Sequence, residues 1–167
     1  MTLLSRVFPS VSMFMAAWLG IALLAVASLG CGARAPDHLG LDAWPACPSS
    51  PNCVSSLEPP TSPAWVAPLE ISGSLEAAWN AALDVIESWP RTDVRQVTDE
   101  SMHVVVKSAV FRFEDDLELR LDWEHGQIQV RSASRRGHSD MGVNRRRIEA
   151  LRRELIGRGV VHAEVPN

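Results

Sequence analysis

Asp116-Leu117-Glu118-Leu119-Arg120-Leu121-Asp122-Trp123 alternates charged and apolar residues without a break. A strand points successive side chains to opposite faces, so this run has one face for a core and one for water. His125-Gly126 suits a two-residue hairpin turn, and Gln127 to Ser134 then supplies a partner strand with Ile128 and Val130 on the apolar face. In that register Trp123 faces Ile128, Leu121 faces Val130, Leu119 faces Ser132 and Leu117 faces Ser134. Asp116 lies opposite Arg135. Arg120 lies opposite Arg131, with Glu118 and Asp122 diagonal to it. Arg131 and Arg135 therefore have acidic cross-strand neighbours, so ion pairing accounts for them without a ligand. Ser132 and Ser134 continue the inward face beyond its last apolar residue, and inward hydroxyls need partners.

The segments on either side complete the domain. Ser74 is a helix cap, and Leu75, Trp79, Leu83 and Ile86 recur on one face until Pro90 ends the helix. Thr92 to Val97 and the valine-rich Met102 to Ser108 read as two strands joined at Asp99-Glu100-Ser101. A last helix starts between Asp140 and Asn144, with Asp140 as its cap. Its buried stripe is Ile148, Leu151 and Leu155, and Gly157 or Gly159 closes it. The expected domain, residues 71–158, is α+β: a helix, a four-stranded mainly antiparallel meander and a C-terminal helix, arranged as a two-layer sandwich. Residues 159–167 form a tail.

Residues 1–30 look like a targeting segment. Arg6 precedes an almost wholly apolar run from Val11 to Leu29, which ends in Ser28-Leu29-Gly30-Cys31. The ending resembles a bacterial lipoprotein signal, in which Cys31 becomes a lipidated first residue, although Ser28 stands where a large aliphatic residue is usual. The run is also long enough to cross a bilayer uncleaved, and a soluble secreted form is the third reading. All three place the domain outside the cytoplasm, in the cell envelope or beyond. Residues 31–70, with eight prolines, read as a tether leading into an arm, and the part after Trp44 is expected to lie against the domain. An oxidising compartment allows a Cys47–Cys53 disulfide, with Ser50-Pro51-Asn52-Cys53 as a type I turn. The alternative, a metal or redox pair, has neither the second cysteine pair of a zinc site nor the Cys-x-x-Cys spacing of an oxidoreductase.

The formal charge of −4 hides an asymmetry. Between Arg131 and Arg158 nine arginines face Asp140, Glu149 and Glu154, whereas Asp37 to Val130 carries 16 acids against five bases. The acidic total argues against a nucleic-acid binder. Arg145, Arg146 and Arg147 fall in the first turn of the last helix, where the backbone carries partial positive charge. Asp115, Asp116, Asp140 or a bound anion must compensate them. Candidate ligand-binding residues are accordingly Asp115, Asp116, Arg131, Ser132, Ser134, Arg135, Asp140, Asn144 and Arg145.

Three functions compete. One is a non-enzymatic, membrane-tethered module binding an anionic ligand or envelope partner through Ser132, Ser134, Arg135, Asn144 and Arg145. Another is a structural or interaction domain in which these groups cap the backbone and pair with one another. The third is a serine hydrolase or transferase, with Ser132 or Ser134 as nucleophile, His138 as base and Asp140 or Asp115 orienting it. No nucleophile elbow supports that third reading, so no catalytic residue is assigned. The histidines are scattered, and there is no zinc-protease signature, phosphate loop, dinucleotide fingerprint or repeat, so neither metal nor cofactor is expected.

CPSSPNCVSS at Cys47–Ser56, the pair Asp115-Asp116 before the alternating strand, and RSASRRGHSDMGVNRRRIEALR at Arg131–Arg152 together resemble the domain of unknown function numbered 1499. The resemblance covers about Cys47 to Leu155. The matching residues are Cys47, Pro51, Asn52, Cys53, Asp115, Asp116, Arg131, Ser132, Ser134, Arg135, Gly137, Asp140, Gly142, Asn144, Arg145 and Ile148. It implies a position behind a signal or membrane segment and brings no activity. Members commonly carry an aromatic residue near His138, so the resemblance gives that histidine no catalytic role.

Overall fold

A computed structural model describes residues 44–163 of the chain. Its elements in order are β1 (Cys53–Ser55), β2 (Leu69–Glu70), α1 (Leu75–Ser88), β3 (Thr92–Val97), β4 (Ser101–Lys107), β5 (Glu114–Asp122), β6 (Gln127–Ser134) and α2 (Val143–Gly157). The targeting segment and Cys31 lie outside the described residues. Among the described residues no helix is long and apolar enough to cross a membrane.

The fold is α+β with an antiparallel sheet and two helices. The meander β3-β4-β5-β6 is present, but the sheet has six strands rather than four. The additional two come from the proline-rich arm. β1 and β2 both pair with β6, Val54 lying opposite Ser132 and Leu69 opposite Ile128. Only three and two residues long, these strands were hidden from periodicity, which needs more residues to declare itself. They cover the edge of β6, where backbone N–H and C=O groups would otherwise lack partners. Beyond α2, Val161 is buried and bridges to Ile71, so the segment after the helix joins the same edge.

The β5–β6 pairing corrects the expected register by two residues. Leu117 lies opposite Ser132, Glu118 opposite Arg131, Leu119 opposite Val130 and Leu121 opposite Ile128. The loop is therefore Trp123–Gly126, and Trp123 is exposed instead of facing Ile128. Asp122 decides this. Its carboxylate accepts the His125 backbone N–H at 3.1 Å, which closes a wider loop that ends at left-handed Gly126. A shift of two preserves which face each side chain takes.

Core residues follow that alternation. Met102, Val104, Leu117, Leu119, Leu121, Ile128 and Val130 join Ala78, Trp79, Ala82, Val85 and Ile86 of α1 and Ile148, Leu151 and Leu155 of α2 in one apolar cluster. Ser74 caps α1 by accepting the Ala77 N–H. The cap position of α2 is Gly142, in the left-handed region at φ 76°, where a side chain would be strained. The Cys47–Cys53 disulfide is formed. Its turn is tighter than type I, because the Asn52 N–H reaches back only to the Ser50 carbonyl.

If the arm belongs to the sheet, a chain starting at Ser72 will unfold in urea without a cooperative transition, whereas one starting at Trp44 keeps it. Tryptophan fluorescence during the titration separates the two outcomes.

Candidate functional site

The densest polar site lies where α2 begins, against β6 and the disulfide loop. Asn144, in the first turn of α2, has no exposed surface. Its amide nitrogen donates to the Asn52 carbonyl at 3.0 Å and to the Ser134 hydroxyl at 3.0 Å. Its amide oxygen accepts from the Ser132 hydroxyl at 2.6 Å and from Arg147. An amide has two donors and one oxygen with two lone pairs, so the side chain is fully used. Ser132, also without exposed surface, accepts a second bond from Arg147 at 2.8 Å. Arg147 in turn donates to Asp115 at 2.6 Å. Asn52 receives the Ser134 backbone N–H at 2.9 Å and donates its own amide to the Gly137 carbonyl at 2.6 Å.

Asp140 answers the charge conflict at the helix start. One carboxylate oxygen accepts the Gly142 N–H and the other the Asn144 N–H, each at 2.8 Å. A carboxylate thus occupies the place where a free anion would be held at a helix N-terminus. Of the three first-turn arginines, Arg147 is neutralised by Asp115, while Arg146 and Arg145 donate to the carbonyls of Met141 and Pro63 at 2.8 and 2.7 Å. Asp116 takes no part in this.

Asp116, Arg131 and Arg135 lie on the opposite face of the sheet, because they alternate with Asp115, Ser132 and Ser134 along the strands. There Arg135 grips Asp116 with two bonds, at 2.9 and 2.8 Å, and Glu114 with a third at 2.7 Å. The His103 Nε2 lies 2.7 Å from Asp116. Arg131 pairs with Glu118 at 2.6 Å. Asp116 is 1% exposed, so these contacts decide its charge. Burial pushes its carboxyl up. The bonds and charge of Arg135 and His103 outweigh burial and hold it below the ordinary carboxylate value.

The sequence candidates therefore form two clusters separated by a sheet. Ser132, Ser134, Asp115, Asp140 and Asn144 meet on the helix side, whereas Arg135 does not converge with them. Arg145 stands apart at the surface, lining a groove of about 170 Å³ with Pro51, Cys53, Val54, Pro63, Ser139, Asp140 and Gly142. His138 is exposed on the intervening loop and makes no hydrogen bond to Ser132 or Ser134. Arg147, Asn52, His103 and Glu114 are members outside the candidate ligand-binding set, although Arg147 and Asn52 were marked for other reasons. Arg147 had a local signal, lying three residues after Asn144 on one helix face. His103 had none, since its partner is on another strand. Among the described residues no group of three or more His, Cys, Asp or Glu side chains is placed to hold a metal ion.

A family model for a protein of unknown function (DUF1499) matches residues 45–155. The chain belongs to this family. The matched span of the DUF1499 domain opens just before the disulfide and closes on Leu155, the last buried residue of the α2 stripe. It therefore contains β1 and β2 and both polar clusters. No curated protein matches the chain.

Asn144→Ala leaves Ser132, Ser134 and Asn52 short of partners, and is expected to lower stability by about 1–3 kcal/mol in urea titrations. Ser132→Ala belongs to the same network, so the double variant should cost less than the sum of the singles. Asp116 makes a pH prediction. Its folded value is depressed, so its contribution is complete above the unfolded value, about 3.9, and fades as pH falls through the folded one. Asp116→Asn should therefore be less stable than wild type at pH 7, and the gap should close below about pH 4 when thermal melts are compared.

Proposed function

We infer that this DUF1499 chain is a membrane-tethered module of the cell envelope that works by interaction rather than catalysis, with the Asn144 network clamping its fold. One observation carries the reading: the hydroxyls, amides and carboxylates of that network are satisfied by one another, leaving no nucleophile beside a base. Ser132 donates to an amide and accepts from a guanidinium, so neither partner can remove its proton. The tether reading rests on the Val11–Leu29 run and Cys31. A two-layer arrangement is supported by both helices sharing one apolar cluster with the same sheet residues. The acidic net charge speaks against nucleic acid as the partner.

A second reading keeps an anionic ligand, at Arg145. Its guanidinium has donors beyond the Pro63 bond and faces the groove beside the disulfide loop. The Asp140 carboxylate lines the same groove and repels anions, which places this reading second.

A fluorophosphonate probe is expected to label neither Ser132 nor Ser134, and labelling of either would overturn the non-catalytic reading. In isothermal calorimetry, inorganic phosphate should give the same heats with Arg145→Ala as with the wild-type chain. A loss of measurable binding in that variant would promote the second reading. Recovery of the intact chain in the soluble fraction of cells would sink the tether.

A further inference from the structure

One end of the sheet carries apolar side chains that the core does not use. The β4–β5 loop presents Val110, Phe111 and Phe113, which are 79%, 74% and 50% exposed, and the two phenyl rings stack with centroids 5.5 Å apart. At the same end the loop from β6 to α2 presents Met141, 85% exposed. The bases of the two loops are joined, because the Arg135 N–H, just past β6, bonds the Glu114 carbonyl at the start of β5. Soluble surfaces scatter single apolar residues, whereas three large ones on one loop, with a fourth at the same end of the sheet, mark a contact surface.

Positive charge predominates around these tips. Arg91, Arg112, Arg136 and Arg146 are exposed there. The acids of this end are already engaged. Glu114 is held by Arg135 and Lys107, Asp115 by Arg147, Asp116 by Arg135 and His103, and Asp140 by backbone N–H groups. Where Arg91 and Arg146 make hydrogen bonds, the acceptors are backbone carbonyls, which leave the charge in place. Arg91, Arg112 and Met141 also hold left-handed backbone, at φ 61°, 55° and 55°. That conformation is unfavourable for side chains of this size, and it clusters where a loop is shaped for a role.

We propose that these two loop tips dock the domain on a lipid bilayer with anionic headgroups, the apolar side chains entering the interface and the ring of arginines binding the headgroups. Convex apolar tips inside a cationic rim match the interfacial arrangement, apolar groups entering the acyl boundary and basic groups meeting anionic headgroups. The proposal rests on the tether reading for a first membrane contact. Chain length permits both contacts at once. Trp44 lies over the Arg120 guanidinium, 5.7 Å from ring to cation. That position is about 20 Å along β5 from the tips, and the thirteen residues from Cys31 to Trp44 can span up to about 45 Å.

The test uses the full chain carrying 4-fluorophenylalanine at its four positions, Phe8, Phe14, Phe111 and Phe113, reconstituted with phosphatidylglycerol or phosphatidylcholine vesicles containing a paramagnetic lipid. Phe111→Leu and Phe113→Leu assign the two tip signals. In phosphatidylglycerol the Phe111 and Phe113 fluorine signals should broaden. Arg112→Glu and Arg136→Glu should each lower the docked population about fivefold or more. If Phe8 and Phe14 broaden while the tips stay sharp, the tether stands and the docking proposal falls, leaving the tips to a protein contact. Broadening of the tips, with Phe8 and Phe14 present and sharp, upholds docking and removes the uncleaved Val11–Leu29 anchor. Equal broadening in both lipids, unmoved by the arginine reversals, would overturn the anionic recognition.

Discussion

A buried side-chain amide must find all its hydrogen bonds inside the protein, and Asn144 is that constraint here. The alternative is an unsatisfied polar group, which costs about 1–3 kcal/mol. Asn144 meets the demand by touching three separate pieces of chain: the end of β6 through Ser132 and Ser134, the disulfide loop through the Asn52 carbonyl, and its own helix through Arg147. The geometry is satisfied only when all three are in place. One residue thereby sets where α2 starts, how the proline-rich arm meets the sheet, and which rotamers the inward serines take. The disulfide strengthens the same junction by fixing the loop that offers the Asn52 carbonyl.

Electrostatics organises the rest. The arginine-rich C-terminal half and the acid-rich middle compensate each other within the fold, through Arg147 with Asp115 on one face and Arg135 with Asp116 on the other. Each pair is nearly removed from water, so its desolvation cost is recovered only because hydrogen bonds saturate it. Asp140 does for the α2 terminus what a bound anion would do. Arg136 and Arg146 of the C-terminal half stay without acidic partners among the described residues and join Arg91 and Arg112 at the end of the sheet, so part of the positive surplus becomes a surface property of that end.

Much of this was legible along the chain. The alternation from Asp116 to Trp123 assigns each side chain to a face, and a register error of two leaves that assignment intact. The helices were legible from their apolar stripes and from Ser74, Pro90 and Gly159. The strands β1 and β2 were not, because segments of three and two residues have no period to detect. The separation of Arg135 from Ser134 was legible too, because adjacent residues of a strand place their side chains on opposite faces of the sheet. That separation follows from the same alternation that revealed the hairpin.

By itself the sequence determined the fold class, the faces of the central strands, the family, and the kinds of group that would have to compensate the first-turn arginines. These are local or cumulative properties, set by neighbours along the chain. Tertiary structure alone decided the partners. Arg147, and not a ligand, answers Asp115. Asn52 reaches Asn144 across 92 residues, and His103 reaches Asp116 from the next strand. Partner choice depends on distances between segments that no local pattern encodes, and burial then makes each choice obligatory by removing water as the alternative.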